Sequence, residues 1–93
     1  MNKCLKINFS ADYPAGFLQE FVQKHARDLG LEGIAQYVPT EKYTVVLVCG
    51  PKEDVDQFVD LLHGGTNKVQ LKDISVEPFL KVKDYRGVFR VLE

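Results

Sequence analysis

The first stretch of the chain alternates. Leu5, Ile7 and Phe9 fall on one side of an extended backbone and Cys4, Lys6 and Asn8 on the other, which predicts a half-buried strand over residues 4–9. From residue 15 to 29 the spacing becomes helical. Phe17, Phe21 and Leu29, with Leu18, Val22 and Ala26, form one apolar stripe, and Gln19, Glu20, Gln23, Lys24, Arg27 and Asp28 supply the wet side. Gly30 is the stop signal. Residues 33–38 are short and strand-like and end at Pro39, and Thr40-Glu41-Lys42 makes the turn. Tyr43 to Cys49 is apolar on both faces and rich in β-branched residues, which suits a central strand. Gly50-Pro51 then opens a second helix, with Glu53 and Asp54 favoured by the positive end of its dipole. Val55, Phe58, Val59 and Leu62 give it a core stripe, and Gly64-Gly65 ends it. Residues 69–76 predict another strand, with a change of parity between Leu71 and Ile74 that calls for a bulge or bend. Pro78 ends that strand, Lys81-Val82-Lys83-Asp84 is polar, and Val88 to Leu92 predicts a last short strand.

The order β-α-β-β-α-β plus a terminal strand predicts an α+β, ferredoxin-like domain, an antiparallel sheet with both helices on one face. Residues 1–93 are expected to form this single domain. Composition narrows the partners. The charged residues are 27% of the chain but nearly cancel to a net −1, and the basic ones are scattered, which argues against nucleic acid. No apolar run reaches the length of a membrane span, and Met1 to Cys4 leads straight into a strand pattern rather than a signal peptide. A cytoplasmic location, no membrane and a monomer or weak dimer are the expectations.

Candidate chemistry concentrates at the junction Ser10 to Leu18, where the first strand meets the first helix. Helix N-termini offer unpaired N–H groups to anions. Asp12 is read as capping or complementing that helix terminus, against the alternative of a new cation site. Tyr13 and Tyr37 either line a pocket or pack as ordinary half-exposed residues, and Leu18 either faces a ligand or covers the core. His25 and His63 are isolated, with no spacing that suggests a metal site, and His63 suits the end of the second helix structurally. In the expected topology the first and third strands are antiparallel neighbours, which brings Cys4 and Cys49 together. A disulfide between this possible cysteine pair is geometrically allowed, and a reducing cytosol predicts two free thiols or a bond formed only on later oxidation.

Beyond these readings the chain resembles the acylphosphatase family from about Lys3 to Val91. The resemblance is carried by Gly16-Phe17, by Ala26-Arg27-Asp28-Leu29-Gly30-Leu31-Glu32-Gly33, by Val45 to Pro51, by Val55, Phe58, Leu62 and Gly64, and by Tyr85 to Arg90. It implies the ferredoxin-like fold and hydrolysis of acyl phosphates without a cofactor. In the family a loop of the form G-x-V-Q-G-V-x-F-R holds the phosphate with its backbone N–H groups and terminal arginine, and an asparagine in a G-(aromatic)-x-x-N pattern positions the attacking water. Such catalysis is placement plus stabilisation of phosphoryl charge.

This sequence departs from that pattern at both catalytic positions. Leu18 stands where the family has its arginine and Tyr37 where it has its asparagine, with Ile34 in place of the aromatic residue. Ser10, Asp12, Tyr13 and Pro14 replace the first glycine, the valine, the glutamine and the middle glycine. These changes remove a planar cationic donor fork and one backbone N–H, and add a negative charge. The expected function is therefore an acylphosphatase-like binding or interaction module, catalytically inactive or extremely slow. Its candidate binding loop is Asp12, Tyr13, Pro14, Ala15, Gly16 and Phe17, its ligand an unidentified small molecule or protein. Two alternatives stand beside it: an acylphosphatase with a surrogate cation (Arg27, Arg86 or Arg90), and a regulatory small-molecule module that pairs by its sheet edge.

Overall fold

The structure, a computed structural model, describes residues 2–66, 69–80 and 85–92. The expected polar stretch Lys81–Asp84 lies outside these residues. The chain runs β1 (Asn2–Ser10), a first helix, β2 (Glu32–Val38), β3 (Tyr43–Pro51), helix α2 (Lys52–Gly64), β4 (Lys72–Pro78) and β5 (Phe89–Leu92). The first helix, α1, joins a π-helical segment Leu18–Gln23 to an α-helical segment Lys24–Asp28.

Five strands make one sheet in the order β4-β1-β3-β2-β5. The long apolar run Tyr43 to Cys49 occupies its centre, because only a strand with neighbours on both edges and cover on one face can use so many β-branched residues. The three pairings among β4, β1, β3 and β2 follow the expected ferredoxin-like plan, all antiparallel. The terminal strand β5 lies parallel to β2, so the complete sheet is mixed.

Paired residues share a face. The rows Leu5–Val48–Gly33 and Ile7–Val46–Ala35 lie under the helices, and their residues are buried with Val22 and Ala26 of α1 and Val55, Phe58 and Leu62 of α2. The third row, Phe9–Thr44–Tyr37, points to the same side but ends in a half-exposed ring, Tyr37. That row carries the candidate site.

The differences from the predicted elements have local causes. The strand predicted over 69–76 forms later, at Lys72–Pro78, while Val69 is buried ahead of it. Asp73 sits at φ 54° where the register with β1 shifts between Asn8 and Ser10, the bend expected between Leu71 and Ile74. Together with Pro78 and exposed Lys72 and Glu77, this bulge blunts the outer edge of the sheet against pairing.

Cys4 and Cys49 stand directly opposite one another on β1 and β3, with Cα atoms 4.1 Å apart, and their sulfurs are bonded. The expected free thiols are thus replaced by a disulfide, because the register of the two central strands sets the cysteines directly opposite one another, within bonding distance.

Candidate functional site

Strand β1 ends at Ser10 and the chain turns over the third row of the sheet before entering α1. Gly16 makes the turn at φ 89°, a conformation that a side chain disfavours. The Phe17 N–H then bonds to the Pro14 carbonyl at 3.2 Å, and the Glu20 N–H to the Gly16 carbonyl at 2.8 Å. Two of the N–H groups at the start of the helix are therefore spent on loop carbonyls, and Pro14 has no N–H to offer. The Glu20 side chain folds back beside the turn: its carboxylate lies 3.4 Å from where a Cβ on Gly16 would stand.

The residue that begins α1 is Phe17, with no side-chain cap. This corrects the expectation for Asp12, which is exposed on the loop and does not cap the helix. The first turns of α1 are π-helical, with i→i+5 hydrogen bonds and more residues per turn. Residues four apart consequently come nearly into line. Phe17 stacks on Phe21 at 5.2 Å and 20°, Tyr13 stacks on Phe17 at 4.9 Å, and His25 meets Phe21 edge-on at 4.8 Å. An aromatic column thus runs from the loop along the helix.

Tyr13 is the pin of this arrangement. Its hydroxyl shares a 2.7 Å hydrogen bond with Thr44 Oγ1, which is 1% exposed in the third row of the sheet. Its ring meets Tyr37 edge-on, centroids 6.3 Å apart. Burial pushes the Tyr13 phenol above its ordinary value, the bond to Thr44 works in the other direction, and Tyr37 adds to the rise. An unfolded phenol ionises near pH 10, while the folded one holds its proton to higher pH. The stabilisation is therefore complete below about pH 10 and lost as pH climbs through the folded value. Tyr13→Phe is expected to cost about 1 kcal/mol at pH 7. The deficit should shrink above about pH 10, and urea unfolding of both proteins across pH 7 to pH 11 checks it.

Between the loop and β2 lies an open groove of about 830 Å³. It gathers Asp12, Tyr13, Pro14, Ala15, Gly16, Leu18 and Tyr37, so the two altered family positions and most of the candidate loop meet in one place. Phe17 does not line it; that ring is buried behind Tyr13. Leu18 is 6% exposed and belongs to the core cluster as well as the groove wall, which joins its two readings.

Sequence reasoning missed Gln19, Gln36, Pro39 and Leu92 in the groove wall and Thr44 beneath it. Gln36 and Pro39 flank Tyr37 and could have been inferred from it. Leu92 could not, since its place depends on β5 lying beside β2. None of the three surrogate arginines reaches the groove. Arg27 lines a separate cavity with Gly30 and Gly87, and Arg86 and Arg90 line another with Gly33 and Tyr85. His63 hydrogen-bonds through Nδ1 to the Val59 carbonyl at 3.0 Å, a structural contact within α2. Among the described residues no group of three or more His, Cys, Asp or Glu is placed to hold a metal ion, and no helix is long and apolar enough to cross a membrane.

Known proteins share this architecture. The sequence model of the family described as Acylphosphatase matches residues 15–91. An acylphosphatase of Caldivirga maquilingensis is 29% identical over 69 residues, covering 74% of this chain and 73% of that protein. The structure of an acylphosphatase from Coxiella burnetii superposes with a TM-score of 0.82 at 23% identity, over 98% of this chain and 93% of that one. The acylphosphatase from Bacillus subtilis superposes at 0.83 with 20% identity over the whole of both chains.

Proposed function

We propose that this chain, which belongs to the acylphosphatase family, does not hydrolyse acyl phosphates and instead holds a small organic ligand in the groove between its first loop and β2. The observation that carries this reading is Leu18: the position of the phosphate-binding arginine is filled by an apolar side chain packed into the core. An arginine there would have to displace core contacts before its guanidinium could reach the loop. Three further features support the reading. The Phe17 and Glu20 N–H groups are spent on Pro14 and Gly16 carbonyls. Asp12 puts a carboxylate in the groove wall and Glu20 sets another beside Gly16, charges that oppose a bound phosphate. Tyr37 presents a ring, not an amide, to any attacking water.

Each lost oxyanion donor removes roughly 10²–10³ in rate, so the losses together leave no measurable hydrolysis. The test is release of phosphate from benzoyl phosphate by the wild type, Leu18→Arg and the Leu18→Arg/Tyr37→Asn pair. All three are expected to match the buffer blank, because the side-chain changes do not free the loop N–H groups or remove Asp12. Wild-type turnover at a rate near that of the Bacillus subtilis acylphosphatase, measured beside it, would overturn the proposal. Recovery in the double variant alone would locate the defect in the two side chains and leave the loop competent.

A further inference from the structure

Resting on the reading that the groove is a ligand site, we propose that it selects an organic cation with a flat apolar body, such as an aralkyl amine, over an anion of the same shape.

The charge inventory of the groove points one way. Asp12 lines it, the Glu20 carboxylate sits beside Gly16 at its edge, and no lysine, arginine or histidine is among its lining residues. An anion would meet a carboxylate and a loop whose Phe17 and Glu20 N–H groups already have carbonyl partners. A cation meets the same carboxylate as a counter-charge. The second element is aromatic. The Tyr37 ring is 43% exposed at the groove wall, and its neighbour Tyr13 cannot rotate away, being stacked on Phe17 and tied to Thr44. The electron-rich face of a tyrosine attracts an ammonium or guanidinium group, more strongly where water is partly excluded. The third element is apolar: Leu18, Pro14, Pro39 and the 40% exposed Leu92 can cover the body of the ligand. One carboxylate, one braced aromatic pair and an apolar wall form a recognition set for a charged head on a hydrophobic stem. The fold has kept the position of a binding site and reversed the sign of what it favours.

Tryptamine, indole-3-propionate and phenyl phosphate serve as probes, followed by amide chemical shifts of the full chain. Tryptamine is expected to bind with a dissociation constant in the low millimolar range and to shift residues 12–19 and 36–39. Indole-3-propionate, nearly isosteric but anionic, should bind at least about tenfold more weakly. Asp12→Asn should weaken tryptamine binding by about three- to tenfold and leave indole-3-propionate no weaker. Tyr37→Leu should weaken tryptamine by a similar factor. Both positions are exposed, so these variants are expected to fold. Equal or tighter binding of either anion, shifts confined to acidic residues outside the groove, or no tryptamine shift up to about 20 mM would each overturn the inference. Anion binding without benzoyl phosphate hydrolysis would defeat this inference alone, whereas hydrolysis would defeat the function proposed above.

Discussion

Reduction of the Cys4–Cys49 bond is expected to produce a large loss of stability in this protein. The bond joins positions 45 residues apart in sequence. Closing a loop of that length removes denatured-state entropy worth about 4 kcal/mol on the chain-entropy account. Domains of this size have roughly 5–15 kcal/mol in total, so a substantial share is at stake. The native state is expected to keep its fold when reduced, because the strands holding the two cysteines are paired along their whole length in any case. With a urea dependence of roughly 1–2 kcal/mol per molar, the unfolding midpoint should fall by about 2–4 M in the presence of dithiothreitol. The Cys4→Ala/Cys49→Ala variant should reproduce that midpoint and be indifferent to the reductant. A shift below about 0.5 M would mean that the bond does not restrain the unfolded chain.

The second large effect is expected at Gly33, the start of β2. Its φ of 146° is one that side chains rarely adopt, and a methyl group there would overlap the Leu47 carbonyl oxygen of β3. Gly33→Ala must therefore bend the backbone or lift β2 from β3. Backbone strain and forced packing together are expected to cost roughly 2–5 kcal/mol. Gly30→Ala is the matched control. Its φ is 69° but nothing lies within 4 Å of the added carbon, so only the backbone penalty of about 1–2 kcal/mol applies. Equal losses in the two variants, measured by urea unfolding, would show that close approach to β3 is not what requires glycine. Because Tyr37 lies on the same strand, displacement of β2 in Gly33→Ala should also loosen its edge-on contact with Tyr13, seen as sharper averaging of the two rings in proton NMR.

Much of the fold was legible because the signals are local. Leu5, Ile7 and Phe9 mark one face of β1, and each is buried. Val55, Phe58 and Leu62 mark the core side of α2, and each is buried. The loop residues were legible as a departure from a family pattern, since Leu18 and Tyr37 are identifiable by position alone. Other features resisted reading for a physical reason. The place of Tyr13 depends on its contacts with Thr44 and Tyr37, residues far from it in sequence. The role assigned to Asp12 as a helix cap failed because capping depends on where the helix begins, and that start lies at Phe17.

The sequence by itself determined the element order, the central strand, the two helical stripes and the absence of an arginine and an asparagine at the family's catalytic positions. Those follow from periodicity and residue type, which act over a few residues. Only the tertiary structure decided that Cys4 and Cys49 are bonded, that β5 runs parallel to β2, and that Leu92 joins Asp12, Leu18 and Tyr37 in one groove. Each of these depends on strand register and on which strands lie side by side. Register is set by the simultaneous burial of many side chains across the sheet, so no short stretch of the chain can specify it alone. The junction at Ser10 to Leu18 was visible as a loop; its spent N–H groups and braced tyrosine became visible only in three dimensions.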